Sequence, residues 1–318
     1  MLKTCTLSIF VARPDLRFME FTIPHLVRMC NYPFLERILL VDTAPLAKRY
    51  SQQPGLGSHA DLIAACQRLQ SAGSIDCYLE MDYSPVVRNK LYRKHFGRRL
   101  QHTHNFRGYP ILGNLYALEI ARGDYFLHFD SDMLMYQSVD FNWIDKGIEL
   151  LERVPEALCV NPHPGPPRQD GLLQQGERHY ELDTRGFYKF WFFTSRRYLI
   201  NRNRFFSTLP MAPKYLSWKR RLLSKLTRES PLWNWEVMVT EHMCSNGMLR
   251  ADLCDSGAWT LHAPDHGEEF LAALPNVIPK VESGRFPPEQ AGNYDLVLKH
   301  WVKTSTSEST GTGQLVAR

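Results

Sequence analysis

Two carboxylates one residue apart, Asp130 and Asp132, close the apolar run Asp124-Tyr-Phe-Leu-His-Phe-Asp130-Ser131-Asp132-Met133. Carboxylates this close repel, and one pKa rises unless a cation lies between them. Hard oxygen donors of this kind suit Mg²⁺ or Mn²⁺. Asp and Ser also favour strand-ending turns, which is the plainer reading of the same residues. A second group is the cation run Arg88, Lys90, Arg93, Lys94, Arg98, Arg99 and Arg107, interleaved with His95, His102 and His104. It reads most simply as a solvated helix face. Its functional reading puts one or two of these cations against a diphosphate, Arg88 first, because it soon follows a strand.

The elements that must position these residues follow an alternating rhythm. Leu7 to Ala12 reads as a buried strand broken by Arg13-Pro14-Asp15, and a helical pattern follows from Arg17 to Cys30, with Pro24 either kinking it or lying in its first turn. Arg37 to Asp42 is a second strand, ending in a carboxylate. Strand, helix and strand in this span form a βαβ unit, hence a parallel sheet. Residues 51–57 read as loop, Ala60 to Ala72 as helix, and Asp76 to Asp82 as a third strand. Pro110 to Gly123 has proline in its first turn, glycine past its end, and Ile111, Leu115 and Leu118 on one face. It feeds an interior parallel strand that opens at Asp130, where ligands bind in open α/β sheets.

After Met135 the order is helix from Trp143 to Arg153, strand from Ala157 to Asn161, and the loop His163 to Pro167. Arg185 to Ile200 holds the aromatic strand Phe187-Tyr-Lys-Phe-Trp-Phe-Phe193, read as core with one or two rings at an acceptor site. Residues 210–233 are basic and amphipathic: Trp218, Leu222, Leu223 and Leu226 stand among Lys214, Lys219, Arg220, Arg221, Lys225 and Arg228. Such a segment is either a solvated helix or one that lies on an anionic bilayer. Trp233-Asn-Trp-Glu236 opens a helix that carries Glu241 five residues later, and Trp259-Thr-Leu-His262 is a short strand running into a loop with His266. The polar tail, residues 303–318, cannot bury a core and is expected to be disordered.

The composition is that of an ordinary globular chain of 318 residues: 44% hydrophobic, 22% charged, net charge +5. That mild excess favours anionic ligands or membrane surfaces without demanding nucleic acid, and none is expected. Seven cysteines, scattered and never in Cys-x-x-Cys, fit reduced thiols of a cytoplasmic protein. The apolar start is too short and too soon interrupted by Arg13-Pro14-Asp15 to read as a secretory signal, and the sequence has no apolar run of membrane-spanning length. The expected location is cytoplasmic, with peripheral contact at the inner membrane face as the alternative to a solvated helix over residues 210–233.

Residues 1–136 resemble the nucleotide-sugar-binding half of glycosyltransferases with the GT-A fold, within the large family 2 type. Ile38-Leu-Leu-Val-Asp42 is similar to that family's second strand with its terminal Asp. Gly108, Gly113, Asn114 and Ala117, leading into Ala121-Arg-Gly-Asp124, resemble the helix before the central strand. Asp130-Ser131-Asp132 matches the Asp-x-Asp signature in its place. The resemblance implies an α/β, GT-A-like (Rossmann-like), mostly parallel twisted sheet flanked by helices. It divides into a donor half (1–136) and an acceptor half (137–302) of one domain. It further implies that Asp132 binds Mn²⁺ or Mg²⁺, that Asp130 binds the metal or the ribose beside Ser131, and that Asp42 with the Phe10 to Arg13 turn, including Ala12, holds the base. Asn114 would lie near the nucleotide. On the acceptor side the resemblance is looser. It makes Glu236 the first choice and Glu241 the second for the base that deprotonates the acceptor, although the family's adjacent Glu-Asp pair is missing. It makes His262, rather than His266, the residue that completes the metal site.

The expected activity is transfer of a sugar from a nucleotide donor, a UDP-sugar, to a hydroxyl acceptor on a glycan or lipid-linked glycan. A general base needs a carboxylate near that hydroxyl, and flanking tryptophans can supply stacking and desolvation. Two rivals stand beside it. A nucleotidyltransferase would carry a Gly-rich phosphate loop after the first strand, which Val11-Ala-Arg-Pro-Asp15 lacks. A non-catalytic basic binding protein would leave Asp130 and Asp132 unexplained.

Overall fold

The computed structural model describes residues 3–46, 56–174, 179–227 and 229–302. The sequence-expected tail at 303–318 and most of the 51–57 loop lie outside these residues. The strands are β1 Cys5–Val11, β2 Glu36–Val41, β3 Cys77–Glu80, β4 Tyr125–Asp130, β5 Met133–Gln137, β6 Ala157–Asn161, β7 His163–Pro164, β8 Tyr180–Asp183, β9 Phe187–Phe190, β10 Arg197–Asn201, β11 Leu249–Leu253 and β12 Ala258–His262. The helices are α1 Met19–Cys30, α2 His59–Ser71, α3 Pro85–Phe96, α4 Leu112–Ile120, α5 Trp143–Arg153, α6 Arg202–Ser207, α7 Trp218–Thr227, α8 Trp235–Ser245 and α9 Glu268–Glu282.

Nine strands form one sheet in the order β3-β2-β1-β4-β10-β6-β11-β9-β8, and three form a second in the order β5-β12-β7. The run from β3 through β2 and β1 to β4 is parallel, as the βαβ pattern requires. β4 alternates its faces: Tyr125, Leu127 and Phe129 pack with β1, α1, α2 and α5, whereas Phe126 packs with α3, α4 and α8. The sheet is therefore covered on both sides, which is why its strands read as continuous apolar runs. It also crosses the boundary between the two sequence halves, because β6 and β11 join it through β10.

Two expectations are corrected here. β4 has a parallel neighbour on one side only; β10, which the sequence did not set apart from the aromatic run before it, pairs antiparallel on the other. Gly123 does not stop α4, which ends at Ile120. Its absent side chain serves a close backbone approach, since a Cβ there would stand 2.6 Å from the Thr6 amide nitrogen. Pro24 lies inside α1. The aromatic run is core, with Phe187, Phe190 and Phe193 buried, and Trp191 exposed. None of the seven cysteines is disulfide-bonded.

The chain leaves the main sheet at Asp130, turns through Ser131 and Asp132, and enters the small sheet at Met133.

Candidate active site

Four chain segments converge on the crossing. Register pairs Phe10 of β1 with Asp130, so the turn after β1 lies beside the carboxylates. Antiparallel β10 brings the Arg196 carbonyl to the Asp130 amide at 2.7 Å. β12 pairs antiparallel with β5, setting His262 opposite Met133, one residue from Asp132. The N-terminus of α8, capped by Asn234 through the Val237 amide, supplies Glu236, which accepts the Ser195 amide at 3.1 Å next to Arg196.

Asp132 is the centre of the cluster. Its Oδ2 lies 3.1 Å from His266 Nε2 and 3.7 Å from His262 Nε2. Its Oδ1 is buried and has no hydrogen-bond partner among the described residues. Burial disfavours the charged carboxyl, yet the hydrogen bond from His266 and the two imidazoles outweigh it and hold the group below its ordinary pKa. For His266 burial likewise works against charge, and Asp132 overcomes it, raising the pKa. His262 is fixed from behind: its Nδ1 meets Asp295 Oδ1 at 2.7 Å and its ring stacks on Tyr294. Backbone bonds from the His262 amide to the Tyr294 carbonyl and from the Leu296 amide to the His262 carbonyl lock that strap to β12. Gly165 lets the strap pass, since a Cβ there would stand 2.3 Å from the Asn293 carbonyl oxygen. A carboxylate behind Nδ1, with Nε2 turned toward Asp132, is the arrangement that orients histidines toward metals. Among the described residues no three His, Cys, Asp or Glu side chains form a ready-made metal cluster.

Asp130 is more exposed and pairs through Oδ1 with Nε2 of the buried His128 at 3.1 Å, two residues back on the same strand face. Ser131 is buried between them in sequence. Arg196, absent from the sequence-based candidates, has Tyr294, Asp130, Glu236 and Asp132 in its electrostatic surroundings. Burial would lower its pKa, and those groups raise it. Asp15 is a second omission. Its carboxylate accepts the Ala12 amide at 2.7 Å, and burial, with Asp132 and Asp130 nearby, pushes it up to about 7. In the sequence it read only as a strand breaker. His266, ranked behind His262, also reaches Asp132, because the loop turns back so that Ala263 O meets His266 Nε2 at 3.0 Å.

Asp42 builds a separate, satisfied corner. Tyr83 donates to Oδ1 at 2.5 Å, the Ala44 amide donates to the same oxygen at 2.9 Å, and His104 Nε2 lies 3.1 Å from Oδ2. Burial disfavours the charge, but His104, Tyr83 and the amide hold the carboxyl below its usual range. Asn114 lies close by in the fold. It is buried on α4 and donates to Pro110 O at 2.9 Å, while its neighbour Gly113 sits against the sulfur of Met81, which contacts Tyr83. Ala12 gives its amide to Asp15, and Arg13 opens the following turn, partly exposed. Arg88 is not gathered at the carboxylate pair; its guanidinium bonds Gln101 O, with its Nε unpartnered. Glu241 points away from the cluster, exposed and paired with Lys214, because five residues on a helix is about 140° of rotation. A cleft of about 380 Å³ lined by Phe141, Lys146, Arg153 and Asp255 shares no residue with this cluster.

Strand order, the mixed direction at β10 and the Asp-x-Asp turn at the end of β4 fit the expected α/β, GT-A-like fold. No protein-family model matches the sequence, and no curated protein matches it. Among solved structures, the chain is similar to GalNAc-T7 in a crystal structure with UDP, GalNAc and Mn²⁺, at 11% identity and TM-score 0.48, covering 82% of this chain and 44% of that one. It is similar to S. aureus TarS in complex with UDP-GlcNAc at 10% identity and TM-score 0.43, covering 87% of this chain and 66% of that one. An active-site mutant of LgtC matches at 11% identity and TM-score 0.34, covering 78% and 72%. The chain thus spans less than half of GalNAc-T7 and about two thirds of TarS. At such identities the likeness concerns the fold alone.

Proposed function

We propose that the protein is a metal-dependent glycosyltransferase that moves a sugar from a nucleoside diphosphate donor, with UDP as the nucleotide, to an acceptor hydroxyl on a glycan or lipid-linked glycan. The observation that carries this reading is the buried, unpartnered Oδ1 of Asp132 in a turn that also gathers His262. A buried carboxylate oxygen left without a partner is costly, and a bound cation would remove that cost. Asp132 and His262 would hold the ion, with Asp130 as a further oxygen donor. Mg²⁺ and Mn²⁺ need few protein ligands because phosphate oxygens and water complete the shell, and an imidazole ligand tilts the preference to Mn²⁺. When bound, the cation supplies Lewis-acid neutralisation of the charge that develops on the departing diphosphate.

The chain's own residues do the rest. Arg196 provides a fixed positive charge in the surroundings of both carboxylates and Glu236, and it needs no reorganisation during transfer. Glu236, its Oε2 anchored by the Ser195 amide, takes the acceptor proton on its other oxygen. Glu241, exposed and paired with Lys214, takes no part in that step. The Asp42, Tyr83 and His104 corner would receive the nucleoside, since Asp42 Oδ2 keeps an acceptor site beyond His104. The test is thermal stabilisation by a panel of nucleotide sugars with and without Mn²⁺, because a ligand that binds only the folded state raises the melting temperature. Stabilisation by a UDP-sugar that depends on Mn²⁺ is expected; none by any nucleotide sugar overturns the reading.

A further inference from the structure

α7 stands on an excursion from the fold. Its base is closed by a bridge between Tyr215 and Leu232 and by backbone bonds from Leu216 N to Pro231 O at 2.9 Å and from Trp233 N to Lys214 O at 3.0 Å. The helix it carries is apolar on a face that no described residue covers. Trp218 is 71% exposed, Leu222 59%, Leu223 53% and Leu226 83%. At 3.6 residues per turn these four share an arc of about 140°. Four large apolar side chains left in water are unlike the rest of the described surface, where exposed apolar residues are scattered singly.

The remainder of the helix is cationic. Lys219, Arg220 and Arg221 are all exposed, the sequence adds Lys225, and no acidic residue falls within Trp218–Thr227. Arg220 and Arg221 flank the apolar arc, and Lys219 lies within it on a stem long enough to carry its charge outward. A protein partner would favour aromatic and Met anchors at the centre of the contact with lysine excluded. Leucine and tryptophan intermixed with Lys and Arg is the composition that lies in the plane of an anionic bilayer, the apolar arc among acyl chains and the cations at headgroup phosphates.

We propose that α7 is an interfacial helix that docks the protein on an anionic lipid surface. The excursion closes at Trp233, three residues before Glu236. Docking therefore brings the chain beside the proposed base to the bilayer, which fits a lipid-borne acceptor; that last step rests on the proposed transfer activity, whereas the docking does not.

The test is cosedimentation of the full chain with vesicles of phosphatidylcholine alone and of phosphatidylcholine with about one third phosphatidylglycerol. Anionic vesicles should carry down at least about tenfold more protein, less at high salt. The double variants Leu222→Glu with Leu226→Glu, and Arg220→Glu with Arg221→Glu, should each lose that gain with unchanged melting temperature, because these side chains stand exposed. Wild type that ignores anionic vesicles, or variants that bind as well as wild type, overturn the proposal. So does vesicle-free self-association that the leucine variant abolishes, which would assign the face to a second copy. Hydrolysis of a UDP-sugar in the same samples without vesicles separates the two ideas: intact hydrolysis with no docking rejects only the helix assignment, and docking without hydrolysis rejects only the transfer reading.

Discussion

Asp42 and Asp132 both terminate or follow a parallel strand of the same sheet, and both are held below the usual carboxylate range, yet they differ in what they leave open. Around Asp42 the fold gives each oxygen a partner: Tyr83 and the Ala44 amide fill Oδ1 and His104 engages Oδ2. Around Asp132 the two histidines crowd Oδ2 and no described residue meets Oδ1. A satisfied buried carboxylate organises its surroundings and presents them as a finished surface. An unsatisfied one is a place where the fold accepts a cost that a ligand can remove. On the proposed function, the donor corner would be built in advance and the metal side left to be completed by the cation.

The sharpest way to break this contrast is Asp132→Asn. It should abolish Mn²⁺-dependent UDP binding, about a hundredfold or more by calorimetry, and leave the fold intact. Undiminished affinity would mean the orphaned oxygen is not waiting for a cation. Glu236→Gln should lower kcat by about 10²–10⁴ with little change in donor affinity, while Glu241→Gln should leave kcat near wild type; the reverse pattern in steady-state kinetics would reassign the base. Asp295→Asn frees the His262 ring and should weaken Mn²⁺ about 10–100-fold without touching UDP binding in the absence of metal. An equal loss of both would place Asp295 in the fold rather than behind the metal. On the satisfied side, Tyr83→Phe removes one of three partners of Asp42 and should cost about 1–2 kcal/mol of unfolding free energy, measured in urea, and only a few-fold in UDP affinity.

The smallest effect concerns a fully partnered histidine away from the site. Buried His25 accepts the Met135 amide at Nε2 and faces Glu282 at Nδ1, 2.9 Å away, tying α1 to β5 and α9. Desolvation lowers its pKa despite Glu282, with Arg28 adding to the lowering. The folded state therefore holds fewer protons than the unfolded one, so this contribution is present above the unfolded value of about 6.5 and is lost as pH falls below it. Urea midpoints should drop from pH 7 to 5. His25→Asn should flatten that slope by at most one proton, about 1.4 kcal/mol per pH unit. An unchanged slope would show that another buried histidine carries the dependence.

Local periodicity, breakers and caps made much of this legible beforehand. β1, β2, β4, β6 and β12 lie within a residue or two of their apolar runs, and α5 and α8 start where Asn142 and Asn234 cap them. β10 was hidden because Arg197-Tyr-Leu-Ile-Asn201 follows an aromatic stretch without a glycine or proline to divide them. Its burial of Arg197 against Asp252, at 3.4 Å, has no local signature either. Arg88 was plausible from its place after β3 and Glu241 from its place on the helix of Glu236, and the helix faces they occupy turn Arg88 to Gln101 O and Glu241 to Lys214.

What the sequence determined by itself was the alternation of strands and helices and the chemistry of Asp130-Ser131-Asp132, because both arise from neighbours within one element. The company of Asp132 was a tertiary decision. His262 and His266 come from 130 residues downstream through the register of β12 on β5, Arg196 through antiparallel β10, and Glu236 through the N-terminus of α8. Register and crossing depend on long-range burial of both sheet faces, and no local pattern encodes which distant residue will face an unpartnered oxygen.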